Sequence, residues 1–188
     1  MSYNVMAINP GHNGSVALVC DGKLEYYIEE ERLSRSKYDG NPYRGMLYLM
    51  ENHHIDELII GGTGQEDHRL PWTGENSYEA LVRKFNPKVK TTAVWNEHHM
   101  GHVAAAFYGS GFDTAACVIA DGAGSFLRLN QEASWVQNTL CRFIEKPVFE
   151  FETIFHVTNP KDFDTVYKHL GSSEAIGFNN PSPGFYVT

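Results

Sequence analysis

The sequence predicts an α/β fold, and three observations carry that expectation. Short apolar runs of strand length end in turn formers, as 5–8 does at Asn9-Pro10-Gly11 and 114–120 does at Asp121-Gly122. Between such runs lie segments whose apolar residues recur three and four apart, the spacing of one helix face. A chain of 188 residues, 42% hydrophobic and 20% charged, can bury a core without disulfides or a structural metal.

The elements follow in chain order. Residues 5–8 are continuously apolar and read as a strand leading into the loop Asn9-Pro10-Gly11-His12-Asn13-Gly14-Ser15. Residues 15–20 form a second strand, Asp21-Gly22 is a two-residue hairpin signal, and 23–29 alternates polar with apolar as a third strand. The dense charge of 29–37 reads as a solvated turn or short helix. Asn41 as cap and Pro42 as first helical residue open a helix that presents Tyr43, Met46, Leu47 and Met50 and stops near His53. A buried strand at 55–60 ends at Gly61-Gly62. Asn76 with Glu79 forms a capping-box pattern before a helix carrying Tyr78, Leu81, Val82 and Phe85. A strand at 88–95, an alanine-rich helix at 98–108 and a buried strand at 114–120 complete the alternation. Beyond Gly124, the stretches 133–137, 140–146 and 148–157 read as antiparallel strands, with Pro147 at an edge or bend. Residues 162–170 read as a helix ended by Gly171, and 179–184 have loop composition.

Composition narrows the function. The uninterrupted apolar runs, 16–20 and 103–108 among them, fall far short of the roughly 20 residues a membrane span needs. The N-terminus lacks a basic start followed by an apolar stretch, so the chain is expected in the cytoplasm. Fifteen Lys and Arg against 23 Asp and Glu leave a net charge of −8, which opposes wrapping by a nucleic-acid backbone. Cys20, Cys117 and Cys141 are odd in number and scattered, which excludes a disulfide framework and a paired-thiolate zinc site; they are expected as small core residues.

The chemistry-bearing residues concentrate around His98-His99-Met100-Gly101-His102. His98 and His102 are four apart on a predicted helix, so their imidazoles share a face and can reach one ion. Histidines at this spacing also cap helices or hydrogen-bond, and both readings stay open. His99 points about 100° away and is expected as a bystander. The metalloprotease pattern needs Glu directly after the first histidine, where this chain has His99, so a zinc peptidase is disfavoured. Asp121, just past the next strand, is either a third, oxygen ligand or the start of an ordinary Asp-Gly turn. Gly122 and Gly124 would let the backbone approach a ligand. The 9–15 loop, with Gly11 and Gly14, could form a concave nest of N–H groups for phosphate, although no P-loop or dinucleotide glycine pattern is present.

Four segments in sequence, Gly11-His12-Asn13-Gly14-Ser15, Glu30-Glu31-Arg32-Leu33-Ser34-Arg35-Ser36-Lys37, His98 to Tyr108, and Asp121-Gly122-Ala123-Gly124, resemble the O-carbamoyltransferases of antibiotic and nodulation-factor biosynthesis. The resemblance covers about the first 125 residues. It implies an actin- and sugar-kinase-like (ribonuclease H-like) mixed sheet with flanking helices, related to the protein that transfers threonylcarbamoyl to tRNA. Only the first subdomain of that fold is expected, at 1–125, with 126–188 beginning a connecting or second part as an antiparallel extension.

The resemblance further implies that carbamoyl phosphate and ATP form carbamoyl-adenylate and that a metal-containing site passes the carbamoyl group to a small-molecule hydroxyl. By carry-over His98, His102 and Asp121 hold the divalent metal, with iron first and zinc or manganese also suited to the donor set. His12 and Lys37 take the catalytic positions. Gly11, Asn13, Gly14, Ser15, Arg32, Gly122 and Gly124 line the phosphate and carbamoyl side. Where the family has an acidic residue after the Asp-Gly loop, this chain has Ser125. Family members are several hundred residues long, so a missing C-terminal half, in the same or a separate chain, is the expected partner, and this chain alone is expected to be inactive. Two other readings compete: a truncated nucleotide- or metal-binding module acting through a partner chain, and a tRNA threonylcarbamoyl-transfer-like protein, which the acidic charge disfavours.

Overall fold

A computed structural model of the chain describes residues 2–11, 13–62, 75–94, 97–122, 124–127, 148–159, 161–172 and 185–187. The fold is mixed α/β, as expected, and divides into two compact units, Met1–Trp95 and Asn96–Thr188.

In the first unit, strands β1 (Asn4–Asn9), β2 (Ser15–Cys20), β3 (Lys23–Glu29), β4 (Glu57–Gly61) and β5 (Lys90–Val94) form one sheet in the order β3-β2-β1-β4-β5. The first three strands are antiparallel, whereas β4 and β5 run parallel to β1, so the sheet is mixed. Two-residue alternation sends Met6 and Ile8 to one face, and the register sets Met6 beside Leu18 and Leu58, and Ile8 beside Val16 and Ile60. All six are buried. Helix α2 (Tyr43–Asn52) supplies Met46, Leu49 and Met50, and α3 (Ser77–Phe85) supplies Tyr78 and Val82 to the same core. Each such burial contributes about 1.5–3 kcal/mol. The Asp21-Gly22 hairpin forms as predicted, both residues taking positive φ (49° and 82°), the geometry that suits strand twist.

The helix starts differ in detail from the sequence reading. Asn76 caps α3 through its side-chain oxygen, which accepts from the Tyr78 and Glu79 amides, while the Glu79 carboxylate pairs with Arg83. Helix α2 begins at Tyr43, with Pro42 as its cap residue. Asn41 does not cap it because the buried Glu30, on α1 (Glu30–Ser34), accepts from the Arg44 and Gly45 amides at 3.1 and 3.0 Å. The Asn41 side chain instead accepts from the Tyr78 hydroxyl.

The second unit contains α4 (His98–Ser110) and strands β6 (Thr114–Ala120), β7 (Phe126–Leu127), β8 (Val148–Thr158), β9 (Asp162–Ser172) and β10 (Phe185–Val187). The sheet order is β10-β9-β8-β6, with β7 also on β8, and every pairing is antiparallel. Val103 and Phe107 of α4 pack with Phe155 and Val157 of β8. Strand β6 pairs with β8 from Thr114 to Ala120, so residues on both sides of 125 share this sheet.

The helix expected at 162–170 is a correction: those residues are β9, paired with β8 from Thr158↔Asp162 to Val148↔Ser172. Phe163, Thr165, Val166 and Tyr167 favour a pleated, half-buried surface, and cross-strand pairing overrides a weak helical pattern. Gly171 is therefore a close-approach site within a strand, where a Cβ would collide with the Phe151 ring, and not a helix stop. The strands expected at 133–137 and 140–146, the loop at 179–184, Pro147 and Cys141 lie outside the described residues. Cys20 and Cys117 are free, half-buried thiols against the two cores. Among the described residues no helix is long and apolar enough to cross a membrane.

Candidate metal centre

The second unit brings three of the predicted site residues together. His98 opens α4 and His102 follows one turn later, with ring centroids 4.5 Å apart and planes at 89°. Asp121 follows β6 directly, its amide tied to the Phe151 carbonyl of β8 at 2.9 Å. His98 Nε2 lies 2.9 Å from Asp121 Oδ2 and 3.0 Å from His102 Nε2, and His102 Nε2 lies 3.7 Å from Asp121 Oδ2. The ligand atoms of all three residues lie within 4.8 Å of one another. Around a tetrahedral ion with bonds of about 2.1 Å, neighbouring donor atoms sit about 3.4 Å apart. Two imidazole nitrogens and one carboxylate oxygen at these separations fit zinc, iron or manganese, with further positions open to water or substrate. The cluster is accessible: side-chain exposure is 22% for His98, 51% for His102 and 30% for Asp121.

The loop after Asp121 is built into the core. Ser125 is buried and its hydroxyl accepts from the His98 amide at 3.0 Å, capping α4 from a distant part of the sequence while Glu97 provides no side-chain cap. The Gly124 amide donates to the Glu150 carbonyl and the Ser125 amide to the Glu150 carboxylate. At Gly122 a Cβ would meet open space. Gly124 is a close-packing site, where a Cβ would fall on His99 Nε2 and crowd Glu150.

His99 stays outside the three-residue cluster, as expected, and has a buried place of its own. It is buried, its Nδ1 lies 2.7 Å from Thr153 Oγ1, and its Nε2 has no hydrogen-bond partner among the described residues. Burial pushes its pKa below the ordinary value and outweighs the opposing pull of the Glu150 charge. Sequence reasoning also missed Glu150 and Lys168, an ion pair beneath the loop, because nothing local to either residue announces which strand will lie beside residues 124–125.

The other predicted site residues belong to the first unit. The 11–14 loop is held against 39–40: the Gly11 amide donates to the Gly40 carbonyl and the Gly14 amide to the Asp39 carbonyl, both at 2.9 Å. These two N–H groups of the expected nest thus bind backbone. Asn13 takes a left-handed conformation (φ 60°), and Ser15 pairs with Asn9 at the strand end. Arg32, 71% exposed, pairs with Glu29 and Glu31. Lys37 is exposed, its Nζ 4.8 Å from the centroid of the Tyr38 ring. His12 lies outside the described residues.

Comparison with known proteins places these features beside two longer relatives. The chain is 27% identical over 150 residues to the uncharacterized protein sll1178 of Synechocystis sp. (strain ATCC 27184 / PCC 6803 / Kazusa), covering 61% of this chain and 24% of that protein. It is 26% identical over 139 residues to the nodulation protein NolNO of Sinorhizobium fredii (strain NBRC 101917 / NGR234), covering 61% of this chain and 20% of that one. The chain thus spans a quarter or less of the length of these relatives. A crystal structure of an uncharacterized Pseudomonas aeruginosa protein with similarity to the peptidase YEAZ aligns over 92% of this chain and 68% of its own, at 13% identity and a TM-score of 0.40. No family model matches the chain.

Proposed function

We propose that this chain is the metal-binding N-terminal portion of an O-carbamoyltransferase that moves a carbamoyl group from carbamoyl phosphate, through carbamoyl-adenylate, to an acceptor hydroxyl. The observation that carries the proposal is the convergence of His98 Nε2, His102 Nε2 and Asp121 Oδ2 on one accessible point. The similarity to a nodulation protein supports the same reading, because the four sequence segments resemble carbamoyltransferases of nodulation-factor biosynthesis. An ion held by the three residues would serve as a Lewis acid toward the carbamoyl carbonyl. In this reading Lys37 and Arg32 offer positive charge to phosphate, Arg32 only after exchanging its acidic neighbours, and His12 relays a proton. The resemblance assigns adenosine contacts and adenylate formation to a further portion outside these 188 residues.

One observation favours a narrower role for the chain by itself, as a metal-binding module completed by a partner chain: two of the amides in the 11–14 loop are bonded to backbone. The deciding experiment joins this chain to the remaining portion of a relative and assays carbamoyl transfer from carbamoyl phosphate and ATP to sugar, nucleoside and antibiotic hydroxyls. Transfer that disappears with His98→Ala or His102→Ala supports the proposal. A folded, metal-loaded protein that transfers nothing refutes the transferase, and a folded chain that binds no divalent metal refutes the centre.

A further inference from the structure

We infer that Glu150, held by Lys168, is a positioning residue for this centre: it keeps the loop that bears Asp121 in register with the helix end that bears His98. The inference rests on the metal reading above. Glu150 is 2% exposed, and its two carboxylate oxygens are divided between Lys168 Nζ and the Ser125 amide, the latter at 3.0 Å. Its backbone grips the same segment, accepting from the Gly124 amide at 2.7 Å and donating to the Ser125 carbonyl at 3.2 Å. Ser125 passes the constraint on, because its hydroxyl accepts the His98 amide. A single residue of β8 therefore fixes the loop from which Asp121 projects and, through one hydroxyl, the first residue of α4.

The charge of Glu150 matters to this geometry. A carboxylate accepts a backbone N–H more strongly than a neutral group, which stiffens the loop, but a buried carboxylate is tolerated only beside a cation. Lys168, with 18% side-chain exposure, is that cation. An ion pair serving stability alone could be replaced by apolar residues at little cost, leaving the centre unchanged. A positioning residue could not.

The test titrates the chain with Co²⁺ as the probe, following its visible absorption bands and affinity, with circular dichroism and thermal melting to verify the fold. E150M/K168M removes both charges with similar volume and leaves the Ser125 amide without its acceptor. It is expected to stay folded, with a melting temperature lowered by the unsatisfied Ser125 amide, and to bind Co²⁺ about tenfold or more weakly, with altered bands, the usual consequence of losing support behind a ligand. E150Q/K168M restores an amide oxygen for Ser125 and is expected to bind within about threefold of wild type. Glu57→Gln, an ion-pair loss in the other unit, is expected to change nothing at the centre. Wild-type affinity and bands in E150M/K168M, or binding by E150Q/K168M as weak as in E150M/K168M, overturns the inference. Should E150M/K168M fail to fold, Ser125→Ala decides: weakened Co²⁺ binding supports the relay and wild-type binding overturns it. A wild-type chain that binds no Co²⁺ contradicts the metal reading itself, and the inference falls with it.

Discussion

His99 occupies the space into which any side chain at position 124 would project, so the buried imidazole and Gly124 are fitted to each other. The fit lies directly beneath the loop that carries Asp121 and the helix turn that carries His98. Gly124→Ala is expected to destabilise the chain by about 1–3 kcal/mol through overpacking and to weaken metal binding. Adding His99→Ala opens room for the new methyl group, so the double variant should recover part of the loss. Urea denaturation of the two single variants and the double variant measures the coupling, and strict additivity contradicts the fit.

Glu30 makes a corresponding prediction for the first unit. Its buried carboxylate accepts two amides at the start of α2, and its own amide donates to the Gly14 carbonyl. Glu30→Ala leaves the Arg44 and Gly45 donors unsatisfied and is expected to cost about 2–3 kcal/mol by denaturant unfolding, with Glu30→Gln costing less because one acceptor remains. Equal stability of Glu30→Ala and wild type refutes the capping role.

Acid stability should report on Glu57. Hydrogen bonds from Lys90 and Tyr3 hold its carboxyl below the usual 4.5. A depressed folded-state pKa adds stability that is present above the unfolded value and is lost as pH falls through the folded one. Thermal melting between pH 7 and pH 3 should therefore show wild type losing more stability than Glu57→Gln, with the divergence beginning near pH 4.5. Parallel pH profiles contradict this.

Metal linkage supplies a fourth expectation. A ligand that binds only the folded state stabilises it by about 2.7 kcal/mol at a free concentration one hundred times its Kd. Zinc, manganese or ferrous ion should therefore raise the melting temperature of wild type. His98→Ala and His102→Ala should remove the rise while changing the metal-free melting temperature little, since both side chains are accessible.

These properties were unequally legible in the sequence. The three-strand start could be read because Asp21-Gly22 and the flanking alternation are local signals. The meeting of His98, His102 and Asp121 could be read because spacing by four on a helix and position at a strand end each determine direction. Strand β9 could not, because its conformation comes from pairing with β8 and its local pattern also suits a helix. Glu150 and Lys168 were hidden for a related reason: the bond from Ser125 to Glu150 bridges 25 positions of chain, the pairing of Glu150 with Lys168 bridges 18, and both depend on which strand lies beside the loop. The amides of Gly11 and Gly14 looked free because the carbonyls that take them come from residues 39–40, whose approach no window of sequence reveals. The roles of His99 and Gly124 are likewise visible only together.

The most direct measurement is anomalous diffraction from crystals of the chain grown with zinc, recorded on both sides of the zinc absorption edge. A single strong peak about 2.0–2.2 Å from His98 Nε2, His102 Nε2 and an Asp121 carboxylate oxygen is the result expected. Ordered density for the three side chains with no zinc between them, or zinc held by other residues alone, would contradict the metal centre and the transferase reading built on it.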